Sequence, residues 1–158
     1  MLADIHEGIN STLLILQHRL KASGKRPAIQ VIKQYGNLPQ VKCYPGLLNQ
    51  VLMNLFANAI EALEKEIENK EEFVPKIHIH TQLDTTSITI RITDNGIGMS
   101  EEVKQRLFEP LFTTKPPDKG TGLGLSIARQ IIKEKHNERL SCSSQLRRGT
   151  EFIISLPI

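Results

Sequence analysis

The chain has 158 residues, 39% apolar and 23% charged, which is the size of one globular domain with a sizeable core. Aromatic residues make up only 4%, with no tryptophan, which argues against a stacking platform for single-stranded nucleic acid. Lysine and arginine total 20 against 17 acidic residues, and this small excess is spread along the chain, so a mixed solvated surface is expected.

Cysteine usage and the N-terminal residues indicate a cytoplasmic domain. Cys43 and Cys142 lie far apart and lack metal-ligand spacing, so neither a disulfide framework nor a zinc site is expected. The first residues lack a signal-peptide pattern, and no apolar run approaches the roughly 18 residues of a membrane span. The parent protein is expected to be either cytoplasmic or anchored in a membrane.

The first half of the chain predicts one long helix preceded by smaller elements. In chain order these are a short apolar segment over residues 1–5, which is expected to be the end of a strand, a helix over 6–20, and short strands over 28–35 and 40–44. Pro45 and Gly46 then precede the strongest helical pattern, over residues 47–68.

The second half alternates strand pairs with helices. The predicted elements are a hairpin of strands 76–83 and 87–93, a helix over 101–107, a loop over 113–122, a helix over 123–136, and a hairpin of strands 138–144 and 150–157. This order predicts an α/β fold, an α+β two-layer sandwich whose mixed, mainly antiparallel sheet carries helices on one face.

Two asparagines, Asn54 and Asn58, stand one turn apart on the long predicted helix, with Gln50 a turn earlier. Carboxamide oxygens are hard neutral ligands that suit Mg²⁺, which keeps several waters and also binds substrate phosphates. Because such amides also cap strands or face solvent, the helix by itself leaves both interpretations open.

Two glycine clusters lie in the second half. Residues 94–99 (DNGIGM) follow an alternating strand, where glycines permit close approach of a ligand and the carboxylate can accept a hydrogen bond from an exocyclic amine. Residues 120–126 (GTGLGLS) open the last predicted helix, whose first amides and macrodipole favour an anion. Neither cluster is a Rossmann or Walker A motif, and each separately is compatible with an ordinary turn.

The order of the motifs is more informative than any one of them. They are NLFAN over residues 54–58, DNGIGM over 94–99, FEPLFTTK over 108–115, GTGLGLS over 120–126, and Arg148-Gly149-Thr150. The series resembles the N, G1, F and G2 boxes and the terminal Gly-Thr of the ATP-binding catalytic domain of bacterial two-component sensor histidine kinases. The resemblance spans about residues 4–158 and extends to the wider GHKL (HATPase) superfamily, which includes gyrase, heat-shock chaperone and mismatch-repair ATPases.

The resemblance implies a Bergerat ATP-binding fold in one domain over residues 1–158, with an ATP lid over about residues 100–119. Phosphoacceptor and sensor domains would lie outside this chain. Asn54, Asn58 and Lys115 would form the catalytic set, the two asparagines as Mg²⁺ ligands, and Asp94 would accept the adenine amino group. The other nucleotide contacts implied are Gly96, Ile97, Gly98, Met99, Thr114, Gly120, Thr121, Gly122, Leu123, Gly124, Leu125 and Thr150.

Position 54 favours phosphoryl transfer over hydrolysis. Hydrolysing members of the superfamily have a glutamate there as general base, and a carboxamide cannot activate water in that way. One departure stands at Glu61, where many histidine kinases have a lysine near the phosphates. Phosphate charge would then depend more on Mg²⁺, Lys115 and helix amides.

The implied function is that of a protein histidine kinase catalytic domain. It would bind ATP with Mg²⁺ and supply the γ-phosphate to a histidine on a separate dimerisation and phosphoacceptor domain, from which a response regulator is phosphorylated. The isolated chain is expected to bind ATP or ADP as a monomer, without autophosphorylation and without nucleic acid. A nucleotide-dependent regulatory or docking module and a GHKL-type ATPase remain the alternatives.

The dipeptide His6-Glu7 invites comparison with a phosphoacceptor box. That box lies in a long helical hairpin, whereas here strand-like segments follow by residue 28. We therefore expect His6 to belong to the first helix of the catalytic domain and not to be the acceptor. His78 and His80 share one face of a predicted strand and lack a third metal ligand, so they are expected to face solvent.

Overall fold

The computed structural model describes residues 1–24, 26–70, 72–109, 124–135 and 139–158. The strands are β1 (Leu2–Ala3), β2 (Gln30–Gln34), β3 (Val41–Lys42), β4 (Lys76–Leu83), β5 (Ser87–Asp94), β6 (Arg139–Gln145) and β7 (Gly149–Pro157). The helices are α1 (Ile5–Ile15), α2 (Gln17–Leu20), α3 (Pro45–Asn69), α4 (Glu101–Arg106) and α5 (Gly124–Gln130), and a π-helical turn spans Ile131–Lys135.

Five strands form the main sheet in the order β2-β4-β5-β7-β6. β2 runs parallel to β4 and every other pair in this sheet is antiparallel, while β1 and β3 form a small antiparallel pair. The predicted mixed, mainly antiparallel sheet is therefore confirmed, as are both predicted hairpins.

One face of the sheet is apolar because isoleucine recurs at every second position of the central strands. On β4 and β5 the buried side chains include Ile77, Ile79, Ile88, Ile90 and Ile92. Their neighbours, such as His78, Arg91 and Glu151, point the other way and are half-buried. Within the described residues, the helices therefore cover the isoleucine face and not the opposite one, as predicted.

α3 is the central helix of that covering layer. It packs on β5 and β7, with α1 and α5 beside it. Its buried stripe recurs at helical spacing and consists of Leu48, Val51, Leu52, Leu55, Phe56, Ala59, Ile60, Leu63 and Glu66. Asp4 caps α1 by accepting hydrogen bonds from the backbone N–H groups of His6 and Glu7 at 3.0 and 3.3 Å.

Two helices differ from the prediction. The helix predicted over residues 6–20 is divided at Leu16, where α1 ends and α2 begins. The helix predicted over 123–136 is α-helical to Gln130 and then widens into the π-helical turn. The consecutive Ile131 and Ile132 are both buried there, 8% and 0% exposed, so the wider turn serves core packing that the apolar spacing does not reveal.

The loop predicted over residues 113–122 lies outside the described residues. Among the helices that the structure describes, none combines the length and apolar composition needed to cross a bilayer.

Candidate nucleotide-binding site

The turn that follows β5 is held between α3 and the β6–β7 hairpin. The backbone N–H of Ile97 donates to the carbonyl oxygen of Ala62 on α3 at 3.3 Å, and the N–H of Arg147 donates to Ile97 O at 2.6 Å. Gly96 lies so close to α3 that an added Cβ would stand 2.7 Å from the carbonyl carbon of Ala62. Residues 96 and 97, which are predicted to contact the nucleotide, therefore lie in a turn that is held by α3 on one side and by the β6–β7 hairpin on the other.

Two glycines make this close packing of the turn against the hairpin possible. Gly98 and Gly149 have φ values of 72° and 86°, in the left-handed region that side chains disfavour. A Cβ on Gly98 would stand 2.0 Å from Gln145 O, and one on Gly149 would stand 2.0 Å from Asp94 O. The close backbone contact between the turn and the hairpin thus requires glycine at both positions.

Asp94 ends β5 as a buried carboxyl group, only 3% exposed, directly opposite Thr150 of β7. The backbone N–H of Gly96 donates to Asp94 Oδ1 at 2.8 Å. Burial raises the pKa of Asp94 to about 7, and hydrogen bonds from the backbone N–H groups of Gly96 and Thr150 oppose that rise. Once ionised, this buried carboxylate can only accept hydrogen bonds, the property that binding an exocyclic amine requires.

Asn54 and Asn58 lie half-buried on the face of α3 that approaches α5. Asn58 Nδ2 donates to Asn54 O at 2.7 Å, and Asn54 Nδ2 donates to Gly124 O at 3.1 Å. Since both amide nitrogens are engaged by backbone carbonyls, the Oδ1 atoms are the groups that these side chains can offer to a cation. Leu125 follows Gly124 at the start of α5 and packs against the core.

Sequence reasoning missed Ser144, which is buried on β6 opposite Thr150. Its hydroxyl meets the N–H of Met99 at 2.9 Å, Gly149 O at 3.0 Å and Thr150 Oγ1 at 2.8 Å. A signal for it existed, because counting back across the tight hairpin from Gly149 and Thr150 places Ser144 next to the motif. The predicted residues Met99 and Thr150 are thus joined through a residue that no motif contains.

The remaining predicted residues, Thr114, Lys115, Gly120, Thr121, Gly122 and Leu123, lie outside the described residues. In the segment before residue 110, Ser100 caps α4 by accepting a hydrogen bond from Val103 N at 3.3 Å. Phe108 packs against the core, and the Arg129 guanidinium lies 4.9 Å from the centre of its ring. The segments before residue 110 and after residue 123 are therefore in contact through Phe108 and Arg129 of α5.

His6 lies on the first turn of α1, away from the turn after β5. Its Nε2 lies 2.7 Å from Thr81 Oγ1, and its ring stacks on Tyr35 with centroids 4.1 Å apart. Burial lowers the pKa of His6. These contacts favour the expected structural role. His78 Nε2 meets Gln34 Oε1 at 3.0 Å, and no three potential metal ligands cluster within the described residues.

A family profile described as "Histidine kinase-, DNA gyrase B-, and HSP90-like ATPase" matches residues 44–158. The chain belongs to this ATPase family. Sensor protein TdiS of Thauera aromatica is 36% identical over 156 residues, which cover 98% of this chain and 27% of that protein. Sporulation kinase E of Bacillus subtilis is 38% identical over 122 residues, which cover 77% of this chain and 15% of that protein. The chain therefore spans about a quarter or less of these relatives.

Solved structures of similar proteins agree with the fold. The nucleotide-free catalytic domain of the histidine kinase ThkA is 28% identical, with a TM-score of 0.80 over 99% of this chain and 96% of that one. Full-length ShkA in complex with AMPPNP shares the fold, with a TM-score of 0.81 at 21% identity over 99% of this chain and 30% of that one. The predicted family and fold class are confirmed, and this is a nucleotide-binding domain of the sensor histidine kinase type.

Proposed function

We propose that this ATPase-family domain binds ATP with Mg²⁺ and supplies the γ-phosphate to a histidine on a separate dimerisation and phosphoacceptor domain, from which a response regulator is phosphorylated. It acts in the cytoplasm, and the isolated chain is a monomer. The observation that carries the proposal is the buried Asp94 carboxyl group at the end of β5, enclosed by the turn of Gly96 and Gly98 and faced by Thr150.

Asp94 supports adenine as the base. A purine amino group brings N–H donors, and an ionised buried carboxylate without such a donor bears the cost of its lost hydration. Ile97 and Met99, both half-buried, provide apolar surface beside it. Asp94 is therefore the residue proposed to bind the base, with Thr150 opposite it and Gly98 in the turn that follows it.

Asn54 and Asn58 support a place for Mg²⁺ between α3 and α5. Their carboxamide oxygens match the hard, neutral ligands that Mg²⁺ accepts, and two such groups suffice when water and phosphates complete the shell. Bound there, Mg²⁺ would neutralise phosphate charge. Lys115 and the amides of residues 120–125 are the other phosphate contacts of the proposal.

Asn54 also favours transfer to an acceptor over hydrolysis. Its Nδ2 donates to Gly124 O, so this side chain orients α5 relative to α3, and a carboxamide has no basic atom with which to deprotonate water. Positioning and charge stabilisation supply most of the catalysis in phosphoryl transfer, so a general base at this position is not required.

The decisive experiment mixes the purified chain with the separately produced acceptor domain of its parent protein, Mg²⁺ and γ-labelled ATP. Acid-labile label should appear on the acceptor only when the chain is present. Asp94→Asn should abolish it, whereas Asp84→Asn, the same change at the other end of the β4–β5 hairpin, should not.

Each other outcome identifies a different function. Nucleotide binding without labelled acceptor supports a regulatory or docking module, and phosphate release by the chain alone supports an ATPase. Label on His6 contradicts the assigned role of α1. Absence of any adenine nucleotide binding contradicts the whole proposal.

A further inference from the structure

Three buried polar residues form one row across the inner face of the sheet. Asp94 of β5 pairs with Thr150 of β7, and Thr150 pairs with Ser144 of β6. They are 3%, 5% and 6% exposed. Directly paired residues in a sheet point to the same face, so the three side chains lie side by side on the covered side.

The neighbours of Ser144 determine whether its hydroxyl donates or accepts in each of its hydrogen bonds. A serine hydroxyl offers one donor and two acceptor positions. The Met99 N–H can only donate to Ser144 Oγ, at 2.9 Å, and Gly149 O can only accept from it, at 3.0 Å. The position that remains at 2.8 Å from Thr150 Oγ1 is therefore an acceptor, so the proton between the two hydroxyls belongs to Thr150.

This assignment determines what Thr150 presents on the side of Asp94. With its proton donated to Ser144, Thr150 Oγ1 has only lone pairs to offer. Next to it stands Asp94, whose ionised carboxylate is also an acceptor only. Two adjacent acceptors favour a ligand group that itself carries two donors, such as an amino group, and they disfavour a carbonyl oxygen.

We propose that Ser144 is a positioning residue of the nucleotide site, which holds Thr150 as a hydrogen-bond acceptor and thereby selects a 6-amino purine over a 6-oxo purine. The inference rests on the proposed function, because it takes the base to lie against Asp94. Ser144 also holds the turn at Met99, so its loss has two separable effects. Loosening of the turn weakens the binding of all nucleotides alike. A change in the hydrogen-bond direction of the Thr150 hydroxyl instead alters the preference between purines.

The test measures the affinities of ADP and inosine 5′-diphosphate, which carries a 6-oxo group, by isothermal titration calorimetry on the full chain. The wild type should prefer ADP. Ser144→Ala should lower that preference by about five- to tenfold, the value of one hydrogen bond. Ser143→Ala, the same change at the exposed neighbouring position of β6, should leave it unchanged.

A double-mutant cycle separates positioning from simple support of the fold. In a Thr150→Val background, which lacks the hydroxyl, Ser144→Ala should cause no further change in the ADP preference. If Ser144→Ala does not fold, Ser144→Cys takes its place, since it keeps the shape and weakens the hydrogen bonds.

The outcomes distinguish this inference from the proposed function. A wild type that binds no ADP contradicts the proposed function itself. A wild type that binds ADP but either shows no preference over inosine 5′-diphosphate or keeps its preference in Ser144→Ala overturns the role of Ser144 and leaves nucleotide binding standing. An equal further loss of preference in the Thr150→Val background also overturns it.

Discussion

At Asp94, a carboxyl group is kept almost fully buried at the end of a central strand, with backbone N–H groups as the neighbours that stabilise its charge. Burial penalises the ionised form, and the pKa of about 7 is the result. A purine amino group donating to the carboxylate would favour the ionised form. Binding of the base and ionisation of Asp94 are therefore expected to be coupled.

The coupling predicts a pH-dependent preference for the amino group. ADP should be favoured over purine riboside 5′-diphosphate, which lacks the 6-amino group, more strongly at pH 8 than at pH 5.5. At the lower pH Asp94 is protonated and must first lose its proton, whereas at the higher pH it is already charged. Calorimetric affinities of the two ligands across this range measure the effect, and phosphate titration cancels in their ratio. A ratio that does not change with pH contradicts the assigned role of Asp94.

Arg147 is the non-glycine residue with positive φ, 64°, within the described residues. Its backbone N–H donates to Ile97 O, so the hairpin requires this conformation to hold the turn. A left-handed conformation costs a side-chain-bearing residue roughly 1–2 kcal/mol, and glycine avoids that cost.

Arg147→Gly should therefore raise the free energy of unfolding by about 1 kcal/mol, after the extra entropy of glycine in the unfolded chain is subtracted. Arg148→Gly, the neighbouring position without positive φ, serves as the control and should not stabilise. Urea denaturation measures both. An Arg147→Gly variant less stable than the wild type would show that the arginine side chain contributes more than the strain costs.

The residues of the site differ in how far the sequence could predict them. Asn54, Asn58 and Asp94 stand in short motifs whose spacing is visible along the chain. Ser144 and Arg147 stand in no motif, and they matter because of the partners to which the β6–β7 register brings them. For Ser144 the tight hairpin supplies an indirect signal, since counting back from Gly149 and Thr150 reaches it.

Among the elements, α1 illustrates local stabilisation of a helix that is short of apolar contacts on one side. Leu14 and Ile15 are 64% and 63% exposed, so packing covers only part of this helix. The Asp4 side chain satisfies two of the first N–H groups of α1, and its charge favours the positive end of the helix dipole.

Asp4→Ala should lower the free energy of unfolding by about 1 kcal/mol through loss of this cap. Asp4→Ser, which keeps an acceptor at the same position, should recover most of the loss. Urea denaturation should show the change in the midpoint with an unchanged slope. Equal stability of the alanine variant and the wild type would mean that solvent satisfies these N–H groups equally well.

The elements were predictable where their period is strong. Isoleucine at every second position identifies β4 and β5 to within a residue, and the stripe from Leu48 to Leu63 identifies α3. The parallel pairing of β2 with β4 depends on a long crossover through α3, and no local pattern encodes it. The sequence pattern also does not predict the π-helical turn after Gln130, because tertiary packing determines it.

Across the whole molecule, one core lies between the sheet and the helices, and Phe56 is among its largest fully buried side chains. Phe56→Ala should lower the free energy of unfolding by about 3–5 kcal/mol, a large fraction of the roughly 5–15 kcal/mol typical of a native domain. Phe73→Ala removes the same atoms from a half-buried position and should cost less.

Thermal unfolding followed by circular dichroism compares the two variants. Saturating ADP should partly restore the Phe56→Ala variant, by about 2.7 kcal/mol at a hundredfold excess over its dissociation constant, provided that the native site survives. Equal losses in the two variants would contradict the position of the core.

The position of β7 has a consequence for synthesis. It is the last of the described strands in chain order, yet it lies between β5 and β6 in the sheet. A ribosome therefore completes β5 and β6 before the strand that joins them exists, and both present unpaired edges to other nascent chains during that interval. Asp94 and Thr150 meet only when β7 inserts, so the proposed nucleotide site cannot form before that step.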